Sequence, residues 1–186
     1  MVEIINGIQQ IGIGVLDTKS VFNWYRKHLG FNVLLFKDEA VAMLMTRYTN
    51  GNAERRDAYL SLNMVGGGGL EIWQFKDRIP SPPKVPIKFG DLGIYAMKIR
   101  CENLFEMHEY LKQLKVTSLS QIITSDKHAT SFYFDDPFGN KVQMVEDDYL
   151  FTTQSSKNGG VIGAVIGVSN MDQSLDFYKE MLGYTI

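Results

Sequence analysis

The chain has 186 residues, with 19 basic against 21 acidic side chains, a net charge of −2 and a hydrophobic share of 45%. That balance gives no general attraction to nucleic acid or anionic lipid and matches ordinary globular composition. A single cysteine, Cys101, excludes an intrachain disulfide. The lack of a membrane-length apolar run and of a signal-peptide pattern sets a cytoplasmic location as the expectation.

Residues 8–15 alternate, with Ile11, Ile13 and Val15 on one face and Gln10, Gly12 and Gly14 on the other. A period of two predicts a half-buried strand. Asp17 is placed to cap a helix whose Phe22, Tyr25 and Leu29 fall at i, i+3 and i+7. Gly30 suits a left-handed stop, and Phe31–Phe36 opens a new strand. "VLLFKDEAVAMLMTRY" and "AYLSLNMVGGGGLEIWQF" read as further strands, with a turn at Gly66–Gly69. "KDRIPSPPKVPIK" holds four of the five prolines and reads as an exposed linker.

The pattern then restarts. Ile94–Arg100 reads as a strand, and Glu102–Leu114 as a helix with Leu104, Met107, Leu111 and Leu114 on one face. "TSFYFDDPFGNKVQMVE" reads as a hairpin around Asp135–Asn140, followed by a second linker, "TTQSSKNGG". From Gly160 the chain begins once more: a shift of 153 residues lays Tyr178 on Tyr25 and Leu182-Gly183 on Leu29-Gly30. An internal repeat of this kind sets the domain organisation. Two βαβββ modules are expected, at 5–76 and 89–147, with the opening βα of a third, shortened module at 160–186. Further modules are then expected in a longer chain or in another copy. Phe177, Tyr178, Met181 and Leu182 forgo about 1.5–3 kcal/mol each if left wet, so this last piece is expected to dock on the first two modules or on another copy.

On the last strand of the first module, Leu70 and Ile72 face the helix, which leaves Glu71, Trp73 and Phe75 on the opposite face. Gln10 shares that side on the first strand, and Gln143 has the matching place in the second module. Glu71 could act as a base if apolar neighbours raise its pKa, or it could be a rim carboxylate paired with Arg47 or Lys98. Three histidines offer little: His28 ends a helix, His108 lies within one, and His128 sits in a polar turn. "GGGG" lacks the Lys-Ser/Thr and helix start of a phosphate loop and reads as a hairpin turn. Arg55 and Arg56 could clamp an anion but read more simply as a solvated loop. Cys101 is expected to pack at a strand–helix turn, and Trp24 to pack its helix or line a pocket.

"WYRKHLGF" and "FDDPFGNKVQMVE", set in this repeat, resemble the vicinal oxygen chelate superfamily of glyoxalases, extradiol dioxygenases and bleomycin-resistance proteins. The resemblance implies an α+β fold of paired βαβββ modules forming a half-open, barrel-like cleft. It also implies a divalent metal (Zn, Ni, Fe, Mn or Mg), held by first and last strands. Carried over residue by residue, the metal positions hold Gln10, Glu71 and Gln143, while the fourth falls on Ile94 or Tyr95. In the third module the position holds Gly163, which disfavours an extradiol dioxygenase. This set is weak and incomplete. The implied function is a glyoxalase-like enzyme of lyase, isomerase or dioxygenase type acting on a small oxygenated substrate. Glu71 would be its catalytic base, and Trp73, Phe75 and Tyr95 would contact substrate. The alternative is a metal-free binding protein of the bleomycin-resistance type. Expected partners are a small molecule and further copies or modules of the same chain, without nucleic acid or membrane.

Overall fold

A computed structural model describes residues 7–81, 83–124, 129–152 and 158–184. The elements of the first repeat are β1 (Gln10–Gly14), α1 (Thr18–Leu29), β2 (Val33–Val41), β3 (Arg55–Leu62) and β4 (Gly69–Phe75). The second contributes β5 (Gly93–Cys101), α2 (Leu104–Gln113), β6 (Ser131–Asp135) and β7 (Lys141–Glu146), and the third β8 (Asn158–Gly167) and α3 (Met171–Leu182). The fold is mixed α+β. Its two four-stranded sheets run in the orders β1-β4-β3-β2 and β6-β7-β5-β8, and neither closes into a barrel.

Local chemistry sets the ends of α1. The Asp17 carboxylate accepts from the backbone N–H of Lys19 at 3.0 Å and of Ser20 at 3.2 Å, and from the Ser20 hydroxyl at 2.6 Å. These bonds satisfy first-turn donors that have no helical partner, and the Ser20 hydroxyl leads in holding the Asp17 carboxyl below its usual range. Gly30 ends the helix at φ 73°, a left-handed conformation that costs glycine little.

Two expected strand regions differ. The strand predicted to run on through "AMLMTRY" stops at Val41, and Met43–Tyr48 coil into a short 3-10 helix. The ladder with β3 ends at the Val41–Arg55 pair, so residues beyond it have no partner strand. In the second repeat, the segment before β6 makes two isolated bridges among the described residues, Thr117 to Asp135 and Ile123 to Ser131.

One hydrophobic cluster spans both repeats: Tyr25, Leu29, Phe31, Leu70 and Ile72 from the first meet Ile99, Met107, Leu111, Phe132 and Met144 from the second. Within it the Tyr25 hydroxyl donates to Asp136 Oδ2 at 2.6 Å. Burial, then the Asp136 charge, push the Tyr25 phenol well above its ordinary pKa, so it stays a donor. Asp136 also accepts from the backbone N–H of Phe138 and Asn140, at 2.9 and 2.8 Å, and so shapes the β6–β7 turn.

The third repeat docks by its strand. β8 pairs antiparallel with β5 and completes the second sheet. Its start is pressed against the Gly66–Gly69 turn, where a Cβ at Gly160 would collide with Gly67 O and one at Gly68 with Val161 O. Asn63, fully buried, ties the pieces together: its Nδ2 donates to Leu29 O at 3.2 Å and to Asn158 O at 2.8 Å. No residue of α3 is buried, and Phe177 remains 53% exposed.

Tyr25→Phe keeps the ring and deletes the donor to a buried carboxylate. Urea denaturation should show a loss of about 1–3 kcal/mol. Cys101 is buried, and that burial pushes its thiol from 9.0 up to about 12. The neutral thiol is favoured in the folded state, so its contribution to stability is intact below pH 9.0 and is lost as pH rises towards about 12. At pH 8, dithionitrobenzoate should fail to label the folded protein and should label one thiol per chain on unfolding.

Candidate functional site

The parallel β1–β4 pair builds the floor of the site. Register sets Gly12 beside Glu71 and Gly14 beside Trp73. Ile11 and Ile13 on β1, and Leu70 and Ile72 on β4, turn into the core. Period-two alternation therefore sends Gly12, Gly14, Glu71, Trp73 and Phe75 to the other face. There they line a cavity of about 790 Å³.

Glu71 is held by two neutral donors. Gln10 Nε2 donates to Oε2 at 2.7 Å, and the Trp73 indole N–H donates to Oε1 at 2.9 Å. The basic partners considered above, Arg47 and Lys98, are not the ones found. Glu71 is the one ionisable side chain among the described residues on this cavity's wall. Trp73 and Phe75 meet edge to face, 5.8 Å apart at 86°. The Arg56 guanidinium stands 5.6 Å from the Trp73 ring centroid and is neutralised by Asp38 at 2.6 Å.

Other walls come from segments outside the strands. Met45 enters from the 3-10 helix, Ile79, Pro80 and Pro83 from the proline-rich segment, and Phe138 and Asn140 from the β6–β7 turn. The only sequence signals for them are apolar side chains in loops and the DPFGN turn. A neighbouring cavity of about 430 Å³ holds Tyr95, with Ile94, Asp135 and Lys141. Tyr95 therefore belongs to a chamber beside that of Trp73 and Phe75.

Gln143 lies elsewhere. It sits on β7 in the second sheet, donates to Ser131 Oγ at 3.0 Å, and does not line the Glu71 cavity. Its Oε1 is buried with no partner among the described residues. Ile94 is 59% exposed and offers no donor atom. No group of three His, Cys, Asp or Glu side chains converges among the described residues. A divalent ion at Glu71 would face one carboxylate whose two oxygens already accept N–H bonds, and one amide that presents nitrogen to that carboxylate. Hard cations need several oxygen ligands and negative charge, so these residues do not fit a metal centre.

The histidines have structural partners. His28 Nδ1 meets the Tyr110 hydroxyl at 2.7 Å, and burial, then the Lys27 charge, lower its pKa. His108 Nε2 donates to Ser120 O at 2.8 Å. His128 lies outside the described residues.

The sequence model of the Glyoxalase/Bleomycin resistance protein/Dioxygenase superfamily matches residues 7–144. The chain belongs to that superfamily. A glyoxalase family protein from Bacillus cereus shares the fold with a TM-score of 0.62 at 13% identity, covering 77% of this chain and 95% of its own. A glyoxalase family protein from Enterococcus faecalis gives 0.51 at 18% identity, with coverages of 76% and 98%. An antibiotic binding protein from a Streptomyces species gives 0.52 at 15% identity, with coverages of 77% and 98%. No curated protein matches the sequence significantly. Superfamily members often use divalent metals; the donor set of this member is the poor one just described. Among the described residues no helix is long and apolar enough to cross a membrane.

Glu71→Gln keeps one acceptor oxygen but turns the other into a donor, so Gln10 or Trp73 loses its partner. Thermal or urea unfolding should show a loss of about 1 kcal/mol, the net worth of one such bond.

Proposed function

We propose that this superfamily member binds a small organic molecule in the Trp73 cleft without a metal, with Glu71 as its fixed acceptor. One observation carries the reading: both Glu71 oxygens are oriented by neutral N–H groups, at 2.7 and 2.9 Å, on the wall of a cavity otherwise free of ionisable side chains among the described residues. A site of about 790 Å³ falls within the range that encloses drug-sized ligands. Its Trp73, Phe75 and Phe138 rings supply apolar area and stacking. A carboxylate with fixed donors can still accept from a ligand hydroxyl, amine or amide through its remaining lone pairs. The antibiotic-binding relative of the same fold supports this class of ligand.

A second reading keeps enzyme chemistry open. Among the described residues Glu71 is the single ionisable group on the wall, so a bound substrate with an acidic C–H beside a carbonyl would meet one candidate general base. That step would be proton abstraction by the carboxylate, with no metal in it.

Dansylamide, an aromatic ring system bearing N–H donors, is a suitable probe. Its emission should rise on binding, equally with and without EDTA, and Trp73→Ala should weaken binding at least about tenfold, or ~1.4 kcal/mol. Loss of binding in EDTA, restored by added Zn²⁺, would reverse the metal-free reading.

A further inference from the structure

We propose that the Trp73 chamber is one half of a two-chamber site, joined across the open edge of β1 to the Tyr95 cavity. It would take an elongated, amide-linked molecule with an aromatic group at one end and a neutral polar group at the other. This rests on the ligand-binding reading above and extends it to a second cavity.

The two cavities meet. Those of about 790 and about 430 Å³ share Gly12, Ile13, Gly14, Pro83, Gly139 and Asn140. The sill between them is β1, which pairs with β4 alone. Gly69 N–H donates to Gln9 O at 2.8 Å and Val15 N–H to Trp73 O at 2.7 Å, which directs the backbone of the odd-numbered residues to β4. In a parallel ladder the intervening residues then aim their N–H and C=O the other way. The polar backbone of Gly12 and Gly14 consequently faces the open side, with no protein partner among the described residues.

Side chains are missing there too, without a structural need. A Cβ on Gly14 would meet nothing within 4 Å, and one on Gly12 only Glu71 O at 4.0 Å. Neither glycine has a left-handed φ. Glycine inside a strand weakens it and commonly marks the close approach of another group to the backbone. An exposed strand edge offers alternating N–H and C=O groups, to which a planar amide is complementary.

The chambers define the two ends. Trp73 and Phe75 receive an aromatic ring on one side. On the other, Lys141 Nζ lies 2.8 Å from Asp135 Oδ1 and 5.7 Å from the Tyr95 ring centroid. These charges already neutralise each other. A hydroxyl or carboxamide, able to donate to Asp135 and accept from Lys141, therefore suits this chamber better than an ion.

The test compares dansylamide with dansyl-glycyl-serinamide by emission titration, in wild type, Gly14→Val and Lys141→Met. The longer probe should bind wild type at least about tenfold tighter. Lys141→Met should bring it back to the affinity of dansylamide while leaving dansylamide unchanged. Gly14→Val should unfold at or above the wild-type temperature, since valine favours strands, and should weaken both probes at least about tenfold. Equal wild-type affinities for the two probes would overturn the two-chamber inference and leave the single-cleft reading standing. Unchanged binding to folded Gly14→Val would also overturn it. Failure of dansylamide to bind in a Trp73-dependent way would remove the reading beneath it, and the inference with it.

Discussion

The alternation of side chains along β1 and β4 governs this molecule. Because successive residues point to opposite faces, Ile11, Ile13, Leu70 and Ile72 enter the core while Gly12, Gly14, Glu71, Trp73 and Phe75 are sent to the cleft. A slip of one residue would exchange the two sets and place a carboxylate and an indole N–H in the hydrophobic cluster. The same register lays Gln10 near Glu71. Core and site are therefore two consequences of one strand pairing.

The core holds the two repeats together through contacts that also shape the cleft. Asp136 receives the Tyr25 hydroxyl from α1 and backbone N–H groups from its own turn, which fixes where Phe138 and Asn140 stand. These two residues then line the same cavity as Glu71. A buried hydrogen-bonded group of this kind trades little net stability for a defined geometry. The Gly66–Gly69 turn serves the third repeat in the same way, since its missing side chains let β8 approach and pair with β5. The strand of that repeat is thus integrated, while Leu175, Tyr178 and Leu182 on one face of α3 are only half-buried.

Much of this was legible in the residues. Asp17 and Gly30 mark the ends of α1 by local chemistry, and the β1 and β4 patterns give both strands and the side on which Glu71 lies. The DPFGN turn and the repeat carry the family resemblance. What escaped the sequence depends on distant partners. "MLMTRY" has strand-like composition, but it coils because no neighbouring strand continues beside it. The proline-rich segment reads as a plain linker, yet Ile79, Pro80 and Pro83 help wall the cavity. The resemblance offers Gln143, on the last strand of the second repeat, as a metal ligand; its bond to Ser131 Oγ on the neighbouring strand is a cross-strand contact that the repeat alone does not show. Tyr95 faces a second chamber, a distinction that strand alternation alone does not make.

The central claim is that the Glu71 carboxylate serves a ligand and does not anchor a metal. Its two oxygens are occupied by N–H donors, and no three acidic, imidazole or thiol groups converge among the described residues. The most direct measurement is calorimetric titration of the purified chain with Zn²⁺, Ni²⁺ and Fe²⁺, in wild type and Glu71→Gln. The account predicts weak binding or none, with whatever binding wild type shows reduced further in the variant. Tight one-to-one binding that survives Glu71→Gln would contradict it and would mean that the metal ligands lie elsewhere in the chain.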